Sequence, residues 1–279
     1  MFSKIAILGT GLLGASIGLA VRRVWPECRI VGIGRRQETL DNAKLVGAID
    51  ATVLSIADGV SGCELVILCT PVGQIVDQVF EVAQASDRAP IITDVGSTKQ
   101  MICDTVEQRS PLPNGCRFLG GHPIAGSEKT GPDAAMATLF ENRVVVLTPT
   151  TSSDPHDVDT LTRFWETFGA RVNCLRPDEH DRVLALTSHL PHVISSAFAT
   201  VCDRPTYGAY CGTGYASMTR LAVGGAELWR DILMSNREAV CRAMDDYEQV
   251  CRSVRNALSQ NDADAVMRFL EDASRNARQ

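Results

Sequence analysis

Three short stretches of the chain hold residue types that do chemistry, and the first is a glycine pattern. Residues 9–14 read GTGLLG, directly after one apolar strand pattern and at the opening of an apolar helix pattern. In that setting Gly9 permits a tight turn, Gly11 lets backbone approach a pyrophosphate, and Gly14 lets helix and strand pack closely. The N–H groups of Leu12, Leu13 and Gly14 would then face the phosphates at a helix N-terminus. A purely structural glycine turn is the alternative, yet the strand before, the helix after and a second strand pattern about 20 residues on are the context a dinucleotide fingerprint needs. That second strand ends in GIGRRQ, so Gly34 stands about where an acid would bind a ribose 2′-hydroxyl, and Arg35 and Arg36 follow. Two guanidiniums without a carboxylate suit a 2′-phosphate, hence NADP; if the pair is only a solvated basic turn, NAD is the cofactor.

The second stretch is a pair of strand ends, CTPVGQI (69–75) and TDVGSTK (93–99). Ligands of open α/β sheets sit at the carboxyl ends of the strands, which places Thr70, Pro71, Ser97 and Lys99 at the nicotinamide end. Ser97 equally suits a helix N-cap. The third stretch, GGHPIAGSEKTG (120–131), follows another strand pattern and carries His122 among glycines, with Ser127 and Glu128 beyond it. Glycine lets backbone come close to a ligand and Pro123 stiffens the turn. A histidine there is either a general base for an alcohol being oxidised or a hydrogen-bonded turn residue.

The elements that must position these residues are legible as apolar runs at 4–9, 29–34, 64–70, 90–96, 117–121, 143–149 and 171–175. Their near-continuous hydrophobicity is that of strands covered on both faces, and amphipathic stretches such as 72–84 and 154–169 alternate with them. The pattern implies a Rossmann-type, doubly wound, mainly parallel sheet over residues 1–176. From 177 to 279 strand patterns stop. Residues 178–201 read as one long helix with a kink at Pro191, 226–258 as a continuous helix of roughly thirty residues, and 262–278 as a last helix. Broad apolar faces on these helices imply a two-fold homodimer built through them.

Composition narrows the partners. Of 279 residues, 45% are hydrophobic and 22% charged, enough for a sizeable core, and the formal charge of −6 argues against a nucleic-acid or anionic-membrane footprint. No run of 18 apolar residues occurs and the first strand pattern leaves no room for a charged leader, so the expected location is the cytoplasm. Ten cysteines without a C-x-x-C pair read as reduced, mostly buried thiols, and no metal site is expected. The expected partner is a small molecule.

Taken together, GTGLLGASIG, CTPV, TDVGSTK, GGHPIAGSEKTG, SHLPH (188–192), TRLA (219–222), ELWRDI (227–232) and NREAV (236–240) resemble the prephenate and arogenate dehydrogenases of tyrosine biosynthesis over nearly the whole chain. The resemblance implies that NAD(P)+ takes hydride from C4 of a cyclohexadienol while the C1 carboxylate leaves as carbon dioxide. It implies that His122 bonds the C4 hydroxyl, that Ser97 helps hold it, that Arg220 binds substrate carboxylate and that His192 lies in the substrate pocket. It also implies a Rossmann domain followed by a helical dimerisation domain. A dianionic substrate needs a fixed cation, which Arg220 can be, although a surface arginine of a helix is equally common. His189 and His192, three apart, share a helical face, and His189 is either a ligand or a buried core histidine. Ser127 and Glu128 complete the substrate-binding candidates. Trp229 suits either the pocket or the dimer core, and is expected in the dimer core.

One departure stands out. Where many relatives carry Arg-Asp before the Thr-Arg pair, this chain has Ala216 and Ser217, so feedback inhibition by tyrosine is not implied. Prephenate is the expected substrate and arogenate the alternative; the two differ by a keto group or an ammonium on the side chain, so one carboxylate placed near it could decide, and Glu128, Glu179 and Asp181 are the candidates. Two other classes remain: a hydroxyacid or imine-reducing dehydrogenase, disfavoured because no lysine follows Lys129, and a non-catalytic NADPH-binding sensor.

Overall fold

The computed structural model describes residues 2–126, 129–202, 206 and 208–278. Its sheet has eight strands: β1 (Lys4–Leu8), β2 (Arg29–Ile33), β3 (Ala51–Val53), β4 (Leu65–Leu68), β5 (Ile91–Asp94), β6 (Arg117–Pro123), β7 (Val144–Thr148) and β8 (Arg171–Cys174). They lie in the order β3-β2-β1-β4-β5-β6-β7-β8. All neighbours are parallel except β6 and β7, which pair antiparallel with His122 opposite Val146. The strand order reverses between β1 and β4, the switch point at which doubly wound sheets bind ligands.

The centre of the sheet is buried on both faces because β1, β2, β4 and β7 are apolar at nearly every position, while β8 at the edge is largely exposed. Ile5 and Ile7 of β1 enter one core cluster with Ile17, Leu147 and Trp165, while Ala6 and Leu8 enter another with Val66, Ile75 and Val79. Each fully buried large aliphatic side chain contributes about 1.5–3 kcal/mol. Helix α1 (Leu12–Val24) lies against the sheet through Gly14, Ala15, Ile17, Gly18 and Val21, mostly small residues that permit close approach. Then come α2 (Gln37–Leu45), α3 (Ile56–Val60), α4 (Val72–Ala85), α5 (Gln100–Gln108), α6 (Pro155–Glu166) and α7 (Pro177–Leu184).

Two compact units emerge. The first comprises Met1–Leu184 with Val223–Asn236, and the second Ala185–Ala222 with Arg237–Gln279. The expected long helix 178–201 is instead three pieces: α7, a π-helical turn (Ala185–His189) and α8 (Leu190–Val201). Pro191 has no N–H to donate back along the helix, and the chain widens just before it. The expected helix 226–258 also divides. After the short α9 (Thr213–Thr219) come α10 (Ala226–Ser235) and α11 (Arg237–Ser259), broken at Asn236, and α12 (Ala263–Asn276) closes the chain. Helix α10 belongs to the first unit and α11 to the second.

The cysteines form no disulfide among the described residues. The expectation that most are buried needs correcting: Cys28, Cys63, Cys103 and Cys116 are buried, while Cys174, Cys241 and Cys251 are exposed. Burial pushes the Cys103 thiol up to about 12 and those of Cys28 and Cys63 up to about 11. No helix among the described residues is long and apolar enough to cross a membrane.

Candidate active site

The glycine fingerprint lies at the switch point. Gly9 has φ +94°, and a Cβ there would stand 2.5 Å from the Cys69 carbonyl oxygen, so the β1 end and the β4 end meet backbone to backbone. Gly14 faces the Gly9 carbonyl, and a Cβ on it would also come within 2.9 Å of Ile7. Gly11 differs from both. It is the N-cap of α1 with φ −73°, and a Cβ on it would meet nothing within 4 Å. No side chain caps α1, so the first-turn N–H groups at Leu12, Leu13 and Gly14 face a space that only a hydrogen at residue 11 leaves open. That cradle fits the pyrophosphate of a dinucleotide.

At the end of β2, Arg35 and Arg36 are exposed, and neither forms an ion pair among the described residues. Gly34 sits in ordinary contact with Leu40, at 3.4 Å from a built Cβ. At the end of β4, the Thr70 hydroxyl donates to Gln78 Oε1, and exposed Pro71 is the N-cap of α4. Ser97, half-buried after β5, makes no hydrogen bond among the described residues and does not cap α5. That role falls elsewhere: Lys99 is the N-cap residue, and the Asp181 carboxylate of α7 accepts from Lys99 N at 2.7 Å and from Gln100 N at 3.0 Å. Lys99 itself points inward. Its ammonium pairs with Asp94, both side chains wholly buried, and Asp94 also accepts from Gly96 N and Gly121 N.

The structure corrects the setting of His122. The sequence places it on an exposed glycine loop after a strand, yet β6 runs through Pro123 and His122 is only 9% exposed. Gly120 and Gly121 serve close packing: a Cβ on Gly120 would lie 2.5 Å from Thr148 Oγ1, and one on Gly121 would lie 2.9 Å from Asp94 O. His122 Nδ1 lies 2.8 Å from Nε2 of His180, whose Nδ1 lies 2.7 Å from Asp181 Oδ1. Both His180 and Asp181 are buried. Burial holds His180 below the ordinary histidine value of 6.5 despite the opposing pull of Asp181. Asn236 Nδ2 in turn donates to the Asp181 carbonyl at 2.7 Å.

In the second unit, His189 closes the π-helical turn and is buried; His192 is buried on α8. His192 is hydrogen-bonded to the Leu221 backbone, and burial lowers its affinity for a proton. Ser195 Oγ accepts from Ala222 N at 3.0 Å. These bonds pin the turn that begins at exposed Arg220 onto α8, bringing Arg220 and His192 into one neighbourhood. Ser127 and Glu128 lie outside the described residues.

Comparison with known proteins shows which family the chain belongs to. Residues 17–174 match the model of the prephenate dehydrogenase nucleotide-binding domain, and residues 176–272 match that of the prephenate dehydrogenase dimerization domain. The chain belongs to the prephenate dehydrogenase family. It is 34% identical to a prephenate dehydrogenase of Bacillus subtilis, with 98% of this chain and 75% of that one covered. It is 31% identical to a cyclohexadienyl dehydrogenase of Zymomonas mobilis, covering 99% and 95%. Among solved structures it superposes with a TM-score of 0.92, at 28% identity and covering 100% and 98%, on prephenate dehydrogenase from A. aeolicus in complex with hydroxyphenyl propionate and NAD+.

Membership of the prephenate dehydrogenase family makes the chain an oxidoreductase that uses a nicotinamide cofactor. His180, which contacts His122, escaped sequence reading, and Asp181, offered by the sequence only as a carboxylate near the substrate side chain, lies instead behind His180. They sit in DEHDRVL, a helical run of mixed charge that looks like a solvated face. The one signal was a histidine followed directly by an acid at the start of an element after the last strand.

Proposed function

We propose that the protein catalyses oxidative decarboxylation of prephenate to 4-hydroxyphenylpyruvate, with arogenate as the alternative substrate, and that NADP+ is its preferred cofactor. One observation carries the reading: in a chain of this family, a buried histidine on β6 shares a sheet edge with an uncapped helix N-terminus shaped for a dinucleotide. The bound nicotinamide supplies the hydride acceptor. His122 accepts the C4 hydroxyl proton as that carbon gives up hydride and becomes a carbonyl; the C1–carboxylate bond then breaks, its electrons complete the aromatic ring and pass onto the C4 oxygen, and His122 returns the proton to that oxygen. Ser97, with a hydroxyl not committed to any described residue, helps hold the C4 oxygen. Arg220, His192, His189, Ser127 and Glu128 are assigned to substrate binding, Arg220 as a cation that keeps its charge at any working pH.

A cyclohexadienyl dehydrogenase among the relatives supports keeping arogenate as second substrate. The two arginines after Gly34 support NADP+ over NAD+. A homodimer is supported by the dimerization-domain match and by exposed Val250, Leu258, Met267 and Leu270 on α11 and α12. The deciding experiment is a two-by-two assay of prephenate and arogenate with NAD+ and NADP+, following reduced nicotinamide, with His122→Asn in parallel. Turnover that falls by about 10²–10⁴ in a folded variant supports the base; undiminished turnover removes it.

A further inference from the structure

The hydrogen-bond chain behind His122 has a proton inventory that only one arrangement satisfies. Asp181 Oδ1 accepts the Lys99 N–H and Oδ2 accepts the Gln100 N–H, so toward His180 the carboxylate is an acceptor. His180 Nδ1 must therefore carry the hydrogen of the 2.7 Å bond. A doubly protonated His180 would be a cation sealed from water, with the Lys99 ammonium as a near neighbour opposing the charge and the Asp181 and Asp94 carboxylates favouring it. Burial prevails and the ring is neutral. Neutral His180 then offers a lone pair at Nε2, and across 2.8 Å the only partner for it is an N–H at His122 Nδ1.

We propose that His180 and Asp181 are positioning residues that hold His122 as its Nδ1–H tautomer, making Nε2 the basic nitrogen and backing the imidazolium with a neutral acceptor tied to a carboxylate. The proposal rests on the reading of His122 as the base. It also explains why one acid is shared between two tasks: the two oxygens that cap α5, directly after Ser97 and Thr98, also fix the His180 ring. The array thus sets the start of α5 and the His122 tautomer from a single side chain on α7. Asp94 and Lys99 hold the other flank through Gly121 N, next to His122 in sequence.

The test uses the full-length protein. Nitrogen-15 imidazole spectra, with the His122 signals assigned by their loss in His122→Asn, should show Nδ1 protonated and Nε2 unprotonated in the neutral ring. The opposite tautomer, or a mixture of the two, overturns the proposal. His180→Leu removes the acceptor and should lower kcat on prephenate by about 10²-fold with both KM values little changed, and move the acid limb of the kcat profile to lower pH. His180→Gln places an amide oxygen near the position of Nε2 and should restore most of kcat and the position of the limb. A residue that only fills space would change melting temperature and leave tautomer and limb in place, which refutes the positioning role. Should His122→Asn keep its turnover, the base assignment fails instead, and the wild-type spectrum still decides whether His180 sets the tautomer.

Discussion

Alanine at Gly11 and alanine at Gly14 should fail in opposite ways. At Gly14 the new methyl would overlap the Gly9 carbonyl oxygen and stand 2.9 Å from Ile7 Cγ2. Gly9 has little freedom to retreat, since its N–H bonds Ile33 O at 2.8 Å and its backbone already holds φ +94° against the Cys69 carbonyl. Overpacking of this kind costs about 3 kcal/mol, and the gain of alanine over glycine inside a helix returns about 1, leaving a loss of about 2 kcal/mol or more. For a unit of this size that is a fall in Tm of roughly 4–8 °C or more. At Gly11 the methyl meets nothing within 4 Å and φ is −73°, open to any residue. A poorer N-cap and a stiffer unfolded chain offset each other to within about 1 kcal/mol. The same methyl would stand where a pyrophosphate must approach backbone, and loss of one hydrogen bond to a charged group, about 1.5–3 kcal/mol, weakens the cofactor roughly tenfold to a hundredfold. Thermal melts paired with cofactor titration by calorimetry separate the two. The reasoning is refuted if Gly11→Ala melts as early as Gly14→Ala, or if it binds cofactor as the wild type does.

Arg220→Ala should raise the KM for the dianionic substrate by a factor corresponding to about 2–5 kcal/mol while leaving cofactor KM nearly unchanged; a selective fall in cofactor affinity would remove it from substrate binding. Gly34→Asp combined with Arg35→Ala should reverse a preference for NADP+ in the ratio of cofactor KM values, and the space beside Leu40 accepts the new side chain. A wild-type protein that already prefers NAD+ would show the arginines to be a solvated turn. Stability should fall with acid. The folded chain holds His180 below 6.5, so above that pH both states carry it neutral and its contribution is complete; as pH drops through 6.5 the unfolded chain takes the proton first and stability is lost. Urea melts between about pH 7 and 5 should show a slope of up to about 1.4 kcal/mol per pH unit from this residue, and His180→Gln should flatten it.

Much of the first unit was legible because physics wrote it into composition. Seven of the eight strands were readable as runs, a signal that burial on both faces produces directly in β1, β2, β4 and β7, although β8 is largely exposed. The exception, β3, has three residues, too few for any periodicity to register. Glycines at 9, 11 and 14 were readable because each answers a separate steric demand at one turn. His122 was found but misplaced, since glycines at 120 and 121 signal a loop as readily as they signal a strand pressed against Thr148 and Asp94. The break at Asn236 left no trace in the apolar spacing on either side of it; what makes it is a hydrogen bond to a carbonyl 55 positions earlier. His180, and the tie of Asp181 to it, were invisible for the same reason. Their role depends on a partner on β6 and on the backbone of α5, neither of which is close in sequence.

The alternation of the chain between its two compact units bears on how the molecule can be taken apart or recombined. The family models meet near residue 175, yet the segment 223–236, encoded well after that point, packs with the sheet and contributes Ser235 to Thr98 and Asn236 to Asp181. A gene fragment that stops after the last strand would express a nucleotide-binding sheet without α7 and its α10 segment, and so with the Lys99 and Gln100 N–H groups stripped of the Asp181 carboxylate. Swapping the C-terminal half for that of a homologue would carry a piece of the first unit along with it. Exchange between relatives is therefore confined to crossovers that keep residues 223–236 matched to α4, α5 and α7, and a chimaera that ignores this would be faulty on the sheet side however well its helical half folds.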